Sequence, residues 1–122
     1  MKKLLALVVV LIMVGAASWA QGTNLGLGWW LHDDWRGWQE RSKSDENAHR
    51  AFEYEGFVLG AARTMWWGQW LDLREITVEQ MLTTVGKYLD DHPDEWGVGA
   101  EASVYHALQA VWPGKKAPTT SK

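Results

Sequence analysis

The chain has no cysteine among its 122 residues. That excludes disulfides, thiol nucleophiles, sulfur-based redox control and cysteine-ligated metals. No stretch of useful length alternates apolar and polar residues with the period of two that a half-buried strand needs, so helices must build the core. Glycine-rich phosphate loops are absent. A serine–histidine nucleophile has no support either, because Ser103 and His106 stand three apart with no orienting acid or oxyanion motif. Positive charge is also short: from Gln21 to Pro113 there are seven Lys and Arg against 15 Asp and Glu. An acidic body argues against nucleic acid or an anionic membrane as partner and suits a basic protein surface.

What the chain has in excess is tryptophan, with ten in all. Each can bury roughly 150–250 Å², which offers a substitute for the stabilisation that disulfides give small exported domains. A core of this size cannot hold them all. Trp112, Trp66 and Trp35 read as core residues. The consecutive pairs Trp29-Trp30 and Trp66-Trp67 point to different helix faces, so at least one of each should reach the surface, as at a partner interface or a carbohydrate platform.

The N-terminus has the layout of a secretory signal: Lys2 and Lys3, an apolar run from Leu4 to Val14, and a small-x-small site at Ser18-Trp19-Ala20. The alternative is an uncleaved anchor, but Leu4 to Ala20 is at the short edge of a spanning helix. Residues 1–20 are therefore expected to be removed, leaving a periplasmic protein that keeps no membrane segment after cleavage. One domain is expected over 21–113 and a disordered tail over 114–122. A glycine-rich lead-in precedes a first helix near Trp29 to Arg41. A polar break follows, where Ser44 or Asp45 can cap the next helix. The longest helical pattern runs from 46 to 67, with Ala48, Phe52, Leu59, Arg63 and Trp66 on one face and Ala51, Val58, Ala62 and Met65 beside it. Gly56 and Gly60 strip one side of that helix, which implies close approach of a neighbour such as Trp112 or Tyr88, and Gly68 should end it.

Thr77 and Gln80 form a capping-box pair, after which Val78, Met81, Leu82, Val85, Tyr88 and Leu89 recur on one helical face. His92 precedes Pro93 and is pushed to extended geometry, so this helix should stop near Asp91. A final stripe, Val104, Tyr105, Ala107, Leu108, Val111 and Trp112, is expected to run as far as Pro113-Gly114. The fold class is all-α, a small bundle of about four helices without disulfides.

Two acidic constellations stand out. His32-Asp33-Asp34, with His49, His92 and His106 elsewhere, could suggest a metal site. No pair is spaced to put two ligands on one helix face, so a solvated first turn is the plainer reading and no metal or cofactor is assigned. Asp90, Asp91, Asp94 and Glu95 surround Pro93, with Trp96 next. Paired carboxylates can serve acid–base hydrolysis, but a short turn gives little burial to raise a pKa. Two readings remain for these five residues, a solvated structural corner or a partner-binding tip carrying an exposed aromatic.

In order along the chain stand Gly56-Phe57-Val58-Leu59-Gly60, Thr77-Val78-x-Gln80, Tyr88-Leu89-x-x-His92-Pro93-Asp94 and Ala107-Leu108-x-x-x-Trp112-Pro113. This ordered series resembles the Rap/Tai-type immunity proteins over about residues 52 to 113. The family often has cysteines near the places where Tyr54, Leu71 and Gly114 stand here. The resemblance implies an exported, non-enzymatic homodimer that neutralises a peptidoglycan amidase delivered by type VI secretion, occluding its active site. The competing expectation is an envelope-associated structural or interaction module without a toxin partner.

Overall fold

The computed structural model describes residues 27–116. The expected signal segment, the lead-in as far as Gly26 and the residues after Lys116 lie outside the described residues. Among the described residues four α-helices follow one another: α1 (Gly28–Gln39), α2 (Asp45–Trp67), α3 (Val78–Asp91) and α4 (Ala100–Gln109), with a 3-10 helix (Pro93–Gly97) between the last two. The fold is all-α. No strand occurs among the described residues, where β pairing is confined to two isolated bridges, Leu27 with Gly99 and Leu71 with Pro113. No described helix is long and apolar enough to cross a membrane.

Local chemistry sets the helix ends. The Thr77 hydroxyl accepts the Gln80 N–H at 3.1 Å while the Gln80 side chain accepts the Thr77 N–H at 2.9 Å, the reciprocal capping box that starts α3. At its other end α3 stops at Asp91, with His92 as C-cap, because Pro93 has no N–H to continue the ladder. Ser44 starts α2, accepting the Asn47 N–H at 3.1 Å, and Asp45 and Glu46 place negative charge on the positive end of the helix dipole. Gly68 caps the C-terminus of α2.

On α2 the core takes the expected Ala51, Val58, Ala62 and Met65 but leaves out Phe52 and Trp66. Ala51, Tyr54, Val58, Ala62 and Met65 are buried, whereas Phe52 is 76% and Trp66 42% exposed. Tyr54 joins them as a fully buried polar aromatic whose hydroxyl donates to the Leu82 carbonyl at 2.6 Å, locking α2 to α3. Burial pushes the Tyr54 phenol far above its ordinary range, so it stays a donor. Around it pack Leu31 and Trp35 of α1, Leu82, Val85 and Leu89 of α3, Val104 and Leu108 of α4, and Leu71 and Leu73 of the α2–α3 connector.

The close-approach expectation for Gly56 and Gly60 is also overturned. Both face solvent, and a Cβ on either would meet nothing. Gly86 on α3 is the glycine the packing requires, because a Cβ there would run into the Trp35 indole. Trp35 is thereby buried between helices and stacked on Trp38 with ring centroids 5.3 Å apart. An indole of that burial stabilises by roughly 4–6 kcal/mol in transfer terms, before the entropy of ordering it.

Trp66 does not belong to the core, and Trp112 is only half-buried. Helix α4 ends at Gln109 rather than near Pro113, and Val111 is exposed, because the chain must turn there to reach the connector. Residues 112–116 pin that connector: Asp72 N–H donates to the Trp112 carbonyl at 3.1 Å, Gly114 N–H to Trp70 at 2.9 Å and Lys116 N–H to Gln69 at 3.0 Å. Backbone bonds of Gly114 and Lys116 thus tie this segment to the connector.

Candidate functional site

The corner between α3 and α4 gathers all five residues of the acidic motif, but it divides them into two sets. Asp90, itself 44% exposed, and the half-buried Glu95 and Trp96 are each bonded to neighbouring elements. Asp90 Oδ1 accepts from His32 Nε2 at 2.8 Å and its Oδ2 accepts from the Trp35 indole N–H at 3.1 Å. His32 lies on α1, 58 positions earlier in the chain, and stacks on Trp96 with centroids 4.1 Å apart. The Trp96 indole N–H donates at 2.8 Å to the Leu89 carbonyl, which also accepts the His92 N–H at the end of α3. Trp96 is half-buried, so the expectation of a freely exposed aromatic at this tip does not hold.

Glu95 is the hub. Its Oε1 accepts from the Tyr88 hydroxyl and from His106 Nδ1, both at 2.8 Å, and its Oε2 accepts from the Ser103 hydroxyl at 3.4 Å. Burial alone would raise the Glu95 carboxyl, yet the bonds from Tyr88, His106 and Ser103 outweigh it and hold the group below its ordinary value. Burial first, and then the bond to Glu95, pushes the Tyr88 phenol up to about 12. His92 completes the corner: its ring stacks on Tyr88 at 3.9 Å and its Nδ1 meets the Tyr88 carbonyl at 2.7 Å. A carboxylate held ionised by three donors is a poor proton donor for hydrolysis, and its oxygens already have partners.

Asp91 and Asp94 form the second set. Both are exposed, and neither pairs with a described cation. They flank His92-Pro93 on a corner that the first set holds rigid. The corner is thus an acidic knob with a braced base.

The other acidic constellation dissolves into separate parts. Asp33 pairs with Arg50 at 3.0 Å, and Arg50 also holds Glu46 at 3.0 Å. Asp34 is not in a solvated first turn: it is 2% exposed in the α1–α2 seam, and its Oδ2 has no hydrogen-bond partner. Burial, and then the nearby Glu53 carboxylate, pushes Asp34 up to about 7. His49 sits 3.2 Å from Glu53 on the solvent side of α2, and His32 and His106 are spoken for in the corner. Among the described residues no group of three or more His, Asp and Glu side chains is arranged to hold a metal ion.

Sequence reasoning missed the braces His32, Trp35, Tyr88, Ser103 and His106. Only the i, i+3 spacing of Ser103 and His106 hinted that two polar groups share a face of α4 toward one acceptor. In comparisons with known proteins, the chain matches no family model, no curated protein and no solved structure.

Proposed function

We propose that this chain is an exported, non-enzymatic binding protein of the immunity type, which neutralises a peptidoglycan amidase by covering its active-site cleft and works as a homodimer. The observation that carries the reading is the corner itself, where Asp91 and Asp94 stand exposed on a base braced by Asp90, Glu95 and Trp96. Pre-organised charge of this kind lowers the ordering cost of binding and steers a basic partner on approach. The residues behind the resemblance also support it, since Thr77, Gln80, Tyr88, His92 and Pro113 all do framework tasks and leave the surface open for partner-specific contacts.

The test is titration of mature protein into a cell-wall amidase encoded by a neighbouring gene, with peptidoglycan cleavage as readout. Inhibition is expected at equimolar inhibitor. The Asp91→Asn/Asp94→Asn double variant should slow association about tenfold at low salt, flatten its salt dependence and leave the melting curve unchanged. Undiminished cleavage with no complex formed would overturn the proposal. It would leave the rival reading, an envelope-associated structural module without a toxin partner. That rival draws its support from the inward use of Asp90, Glu95 and Trp96.

A further inference from the structure

Helix α1 joins the corner to the α1–α2 seam within a few residues. Its first residue, Gly28, donates its N–H to the Val98 carbonyl at 2.8 Å, and a Cβ there would strike the Glu95 carbonyl. The start of the helix is therefore seated on the 3-10 helix. One turn on, His32 bonds Asp90 and stacks on Trp96, while Trp35 bonds Asp90 and fills the space over Gly86. Between His32 and Trp35 stands Asp34, turned the other way, into the seam with α2. The seam is tight, because a Cβ on Gly37 of α1 would collide with the Arg50 side chain of α2.

Asp34 is 2% exposed and its Oδ2 has no hydrogen-bond partner. Of the charged groups that face it, Glu53 of α2 and Asp33 of α1 are acids and Arg50 of α2 is a base. Arg50 is already drawn to Asp33 and Glu46, both at 3.0 Å, and Glu53 has His49 at 3.2 Å on its solvent side. Acids of the other elements that meet α1 are bonded elsewhere: Asp90 of α3 to His32 and Trp35, and Glu95 of the 3-10 helix to Tyr88 and His106. An ionised Asp34 therefore has no donor for Oδ2 and a second carboxylate beside it, a costly arrangement in a buried seam. A neutral Asp34 is the reverse, since its O–H can donate to Glu53. One proton thus turns this contact between α1 and α2 from repulsion into a hydrogen bond.

We propose that α1 is a proton-operated latch: a proton bound at Asp34 seats α1 on α2, and its release loosens α1 together with the His32 and Trp35 braces of the acidic corner. The direction follows from the burial of Asp34 and its neighbour Glu53, which raise it from an ordinary 3.8 to about 7. Seating is fully favoured below pH 3.8 and weakens as pH rises through about 7. Between those two values one proton separates the seated from the loosened state, so the loosened population grows about tenfold per pH unit and then levels off. Acidification thereby stiffens the base that carries Asp91 and Asp94. The latch acts on the braces and not on what the corner binds, so it can fail while the amidase reading stands, and the reverse.

Hydrogen exchange of the whole mature chain at pH 5, 6 and 7, read by NMR and divided by the intrinsic rate at each pH, tests it. Protection of the α1 backbone amides and of the Trp35 and Trp96 indole N–H groups should fall together, by about five- to tenfold per pH unit. At pH 7 the α1 amides should be at least about tenfold less protected than those of Val85 and Val104, which are fully buried in α3 and α4. Asp34→Asn, whose amide can donate to Glu53 at every pH, should cut the slope to less than about twofold per unit. Glu53→Gln, whose amide can donate to an ionised Asp34, should do the same. Asp33→Asn, which removes a half-exposed carboxylate one position away, should keep the slope. A flat profile in the parent would overturn the proposal, and so would equal protection of α1 and the α3–α4 core, the mark of whole-molecule unfolding. A slope that survives in either Asp34→Asn or Glu53→Gln would assign the titration to the corner histidines His32 and His106 and overturn it too. Steady Trp35 and Trp96 indoles beside falling α1 protection would cut the link to the corner.

Discussion

Two carboxyl groups in this small protein are taken out of water with opposite results. Glu95 in the α3–α4 corner meets three donors and is held ionised. Asp34 in the α1–α2 seam has an oxygen with no partner and a carboxylate neighbour in Glu53, and it is driven towards the neutral form. Burial acts in the same direction on both; the donors decide the sign. The corner is therefore a satisfied polar network, which rigidifies what it holds, whereas the seam carries an unsatisfied group and the cost that goes with it.

Removing the hub of the satisfied network should have the largest effect. Glu95→Ala orphans the half-buried Tyr88 hydroxyl and the buried Ser103 hydroxyl, each loss typically costing about 1–3 kcal/mol. A fall of about 3 kcal/mol in urea-denaturation stability is expected, with the helical signal retained. A loss under about 0.5 kcal/mol would show the corner to be solvated and loose. Trp96→Ala should cost slightly less, about 2–3 kcal/mol, because the ring is half-buried and its bond to Leu89 is lost. If that variant instead kept its stability and lost only amidase affinity, Trp96 would be a recognition residue after all.

The two acids should also give opposite pH dependence. Asp34 has its folded pKa raised, from an ordinary 3.8 to about 7, so its contribution is fully present below pH 3.8 and is lost as pH rises through about 7. Glu95 has its folded pKa lowered, so its contribution is present above the ordinary glutamate range and is lost on acidification through the folded value. Asp34→Asn removes the first dependence. It should be more stable than the parent at pH 8 by about 1–2 kcal/mol and should flatten the decline between pH 4 and 7. Chemical denaturation at pH 4, 6 and 8 checks this, and an unchanged decline in the variant would place the titrating group elsewhere.

The smallest expected effect is at Gly60. A Cβ at this solvent-facing position would meet nothing outside its own helix, so Gly60→Ala should stabilise by about 1 kcal/mol through helix propensity alone, and even Gly60→Leu should be tolerated. Gly86→Ala is the contrast, since its methyl meets the Trp35 ring and should destabilise. Thermal melts that ranked the two alanine variants in the reverse order would break the packing scheme.

The residues whose reading succeeded from sequence share one property: their partners are near in the chain. Thr77 and Gln80 bond each other, Ser44 bonds Asn47, and Pro93 stops the helix that precedes it. The all-α class follows from the same local rules, because helical periodicity and caps act over three or four residues. The candidate site was legible only as a cluster, since Asp90 to Trp96 are contiguous. Which of them turn inward was not legible, because Asp90 is answered by His32 and Trp35 from α1, and Glu95 by His106 and Ser103 from α4. Tertiary structure alone also decided that α2 buries Tyr54 while Phe52 and Trp66 stay exposed, that Gly86 and not Gly60 admits a neighbour, and that Asp34 Oδ2 has no donor. Caps and periodicity are properties of a segment. The partner of a buried ring or carboxyl is a property of how the segments cross, and the one hydrophobic face of a helix that is wide enough to pack two ways takes its orientation from the neighbour it meets.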